Sequence, residues 1–291
     1  MNKSRLKGSL FLFLGSLIWG TAFVAQSVGM EYVEPLTFTA SRSIIGSIVL
    51  LPVILFRNNR GFMKPVRDLK MTVTGGIICG LFLCLATNLQ QTGLTMTTVG
   101  KAGFITAMYI VLVPVIGIFL GRRAHWKIWT AVALAAAGLY LLSMSGSLRL
   151  QTGDFLMVLC AFAFAFQILS IDHFIVHIDP FLLSCMEFLV CGIVSLVLAV
   201  LFETPQLSAL AAAKWTILYT GVLSSGVAYT LQVLGQKELE PSLASLIMSF
   251  ESVISALSGW LILGQVLRRR EITGCVIMFA AILLAQSDTG E

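Results

Sequence analysis

Charged residues are scarce in this chain. Of its 291 residues, 11% are Asp, Glu, Lys or Arg, where a soluble globular domain carries about 25%. So little charge cannot cover a water-facing surface. With 57% hydrophobic residues and a mean hydropathy of +0.93, most of the chain has lipid as its solvent. Histidine is scarcer still, at three residues. Two of them, His173 and His177, stand four apart beside Asp172 and Asp179, a spacing that can bind a metal, but the surroundings read as a polar loop. The six cysteines all lie in apolar stretches and form no C-x-x-C pair. They read as packed thiols, so neither a disulfide framework nor a metal site follows. No nucleotide-binding glycine loop and no catalytic constellation is present. The net charge of +5 is spread over short loops rather than gathered in one patch, which speaks against a nucleic-acid partner. No cofactor, no metal and no enzymatic activity is expected.

What is there is a series of long apolar runs. A membrane helix needs about 20 mostly apolar residues, and the sequence divides into ten such runs, centred near Leu17, Gly46, Leu81, Val111, Ala135, Phe164, Val190, Leu223, Ile254 and Phe279. The first run follows Lys3, Arg5 and Lys7 and is long enough to be a retained helix rather than a cleaved signal. Basic residues alternate between loops. They are dense at the N-terminus, in "RNNRGFMKPVRDLK" and in "GRRAHWK", and sparse between. The positive-inside rule then places the N-terminus in the cytoplasm, and ten spans return the C-terminus there. Arg268, Arg269 and Arg270 run against this rule, because ten spans put their loop outside.

The chain also matches itself at an offset of roughly 143 to 145 residues. "EPLTFTASRSIIGS" aligns with "DPFLLSCMEFLVCG", so Pro35 falls on Pro180 and Arg42 on Glu187. Gly8 falls on Gly153 and Gly121 on Gly264. Two halves follow, 1–146 and 147–291, each with five spans. An odd number gives the halves opposite topology, an arrangement found in transporters. The expected fold is an all-α integral membrane protein of ten transmembrane helices, built as two inverted five-helix repeats around a central cavity.

Four stretches, "GSLIWGTAFVAQ", the span holding Arg42, "KAGFITAMYIVLVPVIGIFLG" and "SLASLIMSFESVISALSGWLILG", resemble the EamA type of the drug/metabolite transporter superfamily. The resemblance covers nearly the whole chain. It implies ten helices around a central cavity and movement of small metabolites such as amino acids. The sequence departs from the family pattern at Gly121-Arg122 and Gly264-Gln265, where Gly-Glu is common, and at Glu251-Ser252, where Glu-Pro is common.

Four ionisable residues lie within the runs: Arg42, Lys101, Glu187 and Glu251. A charge in a membrane is costly and faces a cavity or a partner. By helix rise Arg42 lies about 9 Å inside the outer end of its span, so snorkelling to the interface competes with an interior position for it and for Lys101. Either would attract a carboxylate at the outer mouth. Glu251 and Glu187 are the proton-coupling candidates. Amides form a second set, Gln26, Asn88, Gln90, Gln91, Gln167, Gln232 and Gln236, each of which needs a partner in lipid. Asn88 with Gln91, and Gln232 with Gln236, share helix faces. Trp19, Tyr109 and Tyr229 are deep aromatics, either packing or the wall of a cavity. Gly76-x-x-x-Gly80 and Gly117-x-x-x-Gly121 permit close helix contact. Pro52 and Pro114 each remove a backbone donor from their helix.

The expected activity is secondary transport of a small organic metabolite, in the direction of export, across a bacterial plasma membrane, with protons as the coupling ion. A multispanning enzyme acting on lipid would need the cluster around His173. A passive channel would need a continuous polar stripe.

Overall fold

In the computed structural model the described residues are 3–61, 68–122, 126–143, 152–264 and 269–286. Lys64, Arg67, Arg123, Gln265 and Arg268, which entered the loop readings above, lie outside them. Among the described residues every regular element is helical, as lipid demands of backbone that must satisfy its own hydrogen bonds. Eight stretches are long and apolar enough to cross a membrane.

The first half runs through α1 (Lys3–Gly29), α2 (Pro35–Asn59), α3 (Leu69–Leu94), α4 (Val99–Thr106), α5 (Tyr109–Phe119) and α6 (Trp126–Ser143). The second half begins with α7 (Thr152–Phe174) and α8 (Pro180–Phe202), then the short α9 (Leu207–Ala212) and α10 (Lys214–Tyr219). Residues 220–228 wind as a π-helix and lead into α11 (Tyr229–Gln236). α12 (Pro241–Met248), α13 (Glu251–Leu263) and α14 (Arg269–Gln286) complete it. Starts are marked by residues suited to them. Pro35, Pro180 and Pro241 open α2, α8 and α12, where proline's missing N–H costs nothing. The Asp68 carboxylate accepts from Met71 N at 2.9 Å and Asp179 from Phe181 N at 3.0 Å, satisfying donors that a helix end leaves open.

Helices from matched places in the two halves lie against each other: α2 on α8, and α6 on α14. α2 and α8 run antiparallel. At one end Glu203 accepts from Leu36 N at 2.8 Å and Thr37 N at 2.7 Å. At the other, Arg57 pairs with Asp179 at 3.5 Å. α3 packs along α7 and α8, while α1 packs along α13, the π stretch and α11. The Gly76–Gly80 face meets Met186 and Val190 of α8. Gly117 and Gly121 meet no other helix within 4 Å.

The helix pairs α4–α5 and α12–α13 are single spans interrupted midway. At the first break Met108 N bonds Ile105 O, Ile110 N bonds Ala107 O, and Val111 N bonds Met108 O. At the second, Phe250 N bonds Ile247 O, Ser252 N bonds Ser249 O, and Val253 N bonds Phe250 O. Each is a tightened turn of three-residue hydrogen bonds. Neither break contains Gly or Pro. Pro114 sits inside α5, beyond the break, and the helix continues through it.

Candidate functional site

Both interruptions face the middle of the bundle, where there is a cavity of about 30 Å³. Trp19, Phe23 and Gln26 reach it from α1, at the helical spacing that puts residues on one face. Arg42 enters from α2 and Gln90 from α3. Tyr109, the first residue of α5, and Glu251, the first of α13, stand at the two interruptions. Phe164 and Ile168 come from α7. Ser224 and Tyr229, five apart, both line the cavity because the π stretch widens the turn between them. Gln232 and Met248 complete the wall.

The aromatic side is tightly built. The Trp19 and Tyr229 rings meet edge to face at 4.8 Å between centroids, and Phe188 meets Tyr229 at 5.0 Å from behind. Such pairs add about 0.5–1.5 kcal/mol beyond burial and fix ring orientation.

The polar side is a set of short relays. Arg42 is 3% exposed, and its Nη1 donates to Gln26 Oε1 at 2.9 Å. It makes no ion pair among the described residues. Glu187 is fully buried and accepts from Gln167 Nε2 at 3.1 Å. Gln167 Oε1 in turn accepts from Gln232 Nε2 at 3.1 Å, so a line of amides leads from Glu187 to the cavity wall. Across the cavity Tyr109 Oη donates to Glu251 Oε1 at 3.0 Å. That bond joins the start of α5 to the start of α13, one residue from each half. Trp19 Nε1, Arg42 Nε and Gln232 Oε1 are buried without a protein hydrogen-bond partner.

The cavity thus gathers Trp19, Gln26, Arg42, Tyr109, Tyr229, Gln232 and Glu251 from the sequence candidates, and Glu187 and Gln167 stand one layer behind. Three candidates lie elsewhere. Lys101 pairs with Asp154 at 2.6 Å, where α4 and α7 begin. Asn88 donates to Cys84 O at 2.9 Å and to Ser195 Oγ at 2.8 Å, and faces a separate apolar crevice with Leu81, Leu85 and Val194. Gln91 is fully buried, and neither end of its amide has a partner. Sequence reasoning passed over Asp154, Phe23, Ser224 and Met248, and it grouped Asn88 with Gln91 where Gln90 faces the cavity. No group of three or more His, Cys, Asp or Glu suited to a metal occurs among the described residues.

In two places glycines bring backbone close to backbone. Near the start of α1, a Cβ on Gly8 would stand 3.2 Å from Gly235 O, and one on Gly235 would stand 3.0 Å from Gly8 O. Near the end of α3, two spans later in the same direction and so at the opposite end, Gly93 and Gly153 make the same contact. There each Cβ would stand 3.1 Å from the other's carbonyl oxygen. The neighbours match too. Leu12 crowds Gly235 as Met157 crowds Gly93, and Glu238 crowds Gly8 as Met96 crowds Gly153.

A family model described as the EamA-like transporter family matches residues 6–144 and again 151–286. An "Uncharacterized transporter" of Archaeoglobus fulgidus is 30% identical over 281 residues, 96% of this chain and 86% of its own. The "Uncharacterized inner membrane transporter YedA" of Escherichia coli K12 is 24% identical over 290 residues, 96% of this chain and 90% of its own. A solved crystal structure superposes with a TM-score of 0.79 over 96% of both chains at 19% identity, a likeness of fold.

Proposed function

Because the chain belongs to the EamA-like transporter family, we propose that it is a secondary active transporter, not an enzyme. It moves a small organic metabolite, an amino acid or related compound, out across the bacterial plasma membrane by alternating access. The proposal takes the chain as ten spans in two inverted repeats, 1–146 and 147–291, with both termini cytoplasmic. The two separate family matches, one in each half, support that division.

The observations that carry the reading are a polar cavity in the bundle centre and one glycine contact repeated at opposite ends of the bundle. Exchange of the halves turns Gly8–Gly235 into Gly153–Gly93. A molecule built this way has two gates of one design on opposite sides of its site. Breaking one contact while keeping the other opens the cavity to one side only.

Within the cavity Trp19 and Tyr229 supply an apolar wall, and Gln26, Arg42 and Gln232 supply hydrogen bonds to solute. Glu251 is the proposed proton site, bonded to Tyr109 at the junction of the halves, with Glu187 behind it. Asn88, Gln91, Lys101 and Gln167 are assigned to holding the bundle around the site. The test is flux of a metabolite panel in proteoliposomes under an imposed pH gradient, with solute loaded inside or added outside to read direction. Concentrative flux driven by the gradient is expected. No flux of any panel member would sink the reading.

A further inference from the structure

The cavity wall holds a guanidinium that no carboxylate among the described residues neutralises. Lys101, Arg57 and Arg122 each have one, in Asp154, Asp179 and Asp172. Arg42 is more deeply buried than any of these and has only the Gln26 amide. Of the two buried span carboxyls, Glu251 accepts from Tyr109 and Glu187 from Gln167 through Oε2, and neither forms an ion pair with Arg42 among the described residues. A buried charge without a counter-charge costs several kcal/mol. A guanidinium also presents a planar fork that fits a carboxylate with two parallel hydrogen bonds, and here Nε is unused. Beside it stand Trp19, Phe23 and Tyr229, an apolar wall that an inorganic anion would leave uncovered.

We propose that the solute is an organic carboxylate with an apolar body. Its carboxylate docks on the Arg42 guanidinium, and its body lies against Trp19 and Tyr229. An amino group is not required. This rests on the transporter reading of the same cavity and narrows its substrate class.

The test is thermal unfolding of the purified full chain with matched probes at a pH where the acids are ionised. The probes are phenylacetate against phenylacetamide, 4-methylpentanoate against 4-methylpentanamide, and inorganic phosphate as an anion without a body. A ligand that binds the folded state raises apparent stability. The acids are expected to bind roughly tenfold or more tightly than their amides, as loss of a charged pair implies. Arg42→Gln is expected to erase the preference. Arg42→Lys is expected to keep part of it, since lysine retains the charge and loses the fork.

Amides that bind the unaltered protein as tightly as acids would overturn the proposal. So would an acid preference that survives Arg42→Gln, or phosphate that stabilises as well as the organic acids. If Arg42→Gln does not yield folded protein, the acid–amide comparison on the unaltered chain and on Arg42→Lys decides. Acid binding without any flux in proteoliposomes would leave the carboxylate site standing and sink the transporter reading. Flux of neutral solutes with no preference for acids would do the reverse.

Discussion

The two glycine contacts lie at opposite ends of the bundle with the same backbone geometry, yet the side-chain bonds beside them differ. Beside Gly93–Gly153, Lys101 and Asp154 form an ion pair whose carboxylate side chain is 2% exposed, and Thr97 Oγ1 lies 3.5 Å from the same carboxylate. Beside Gly8–Gly235, the matching support is the Ser4 hydroxyl donating to the Glu238 carboxylate, at an exposed position. A partly desolvated charged pair holds more firmly than an exposed polar contact. In the gating proposed above, this difference sets the expectation that the end beginning at α1 yields first.

The largest expected effect comes from filling the glycines. Gly235→Ile and Gly93→Ile place a branched side chain where backbone touches backbone. Overpacking of this kind costs about 1–3 kcal/mol, a roughly 5–150-fold shift in an open–closed balance. Gly235→Ile should open the end where α1 begins, and Gly93→Ile the opposite end. A cysteine at Ser224, in the cavity wall, reports this through its rate of labelling by a membrane-impermeant maleimide added on one side. Each variant should label faster from a different side. Equal labelling of both variants from both sides would break the comparison.

Next in size is the ion pair. Lys101→Met removes the cation paired with the buried Asp154 carboxylate and should lower stability by about 1.5–3 kcal/mol, measured by thermal unfolding. Ser4→Ala, at the other end, should stay within about 0.5 kcal/mol, as exposed substitutions do. Equal losses would erase the asymmetry.

Tyr109→Phe sharpens the comparison at its midpoint. It removes the hydrogen bond that joins the start of α5 to the start of α13. Water in the cavity can replace the lost donor, so the stability cost should be about 1 kcal/mol. Loss of coupling between pH gradient and flux, with solute binding retained, is the accompanying outcome. Unchanged coupling would remove Tyr109 from the proton pathway.

Some of this was readable from the residues in order. The aligned Gly8 and Gly153 each approach another glycine's backbone, and the aligned Arg42 and Glu187 each bond a glutamine. The prolines at Pro35 and Pro180 mark helix starts that the structure keeps. The rotation of each helix was not readable. α3 is apolar nearly all round, so no polar face fixes which side looks inward. Each residue is about 100° of turn, so the two steps from Asn88 to Gln90 turn the helix by about 200°, which puts Gln90 at the cavity while Asn88 looks into the apolar crevice. The interruptions at Ala107–Met108 and Ser249–Phe250 were equally hidden, because their residues carry no breaking signal. Proline at 114 drew attention to the wrong turn.

The sequence by itself determined the solvent and the class of fold. Scarce charge and long apolar runs leave helices in lipid as the arrangement that satisfies the backbone. It also determined that a charge at position 42 had to be accommodated somewhere. Tertiary packing decided how. It gave Lys101 a carboxylate and gave Arg42 an amide and an open cavity, because pairing depends on which helix faces meet, and apolar helices carry little local record of that.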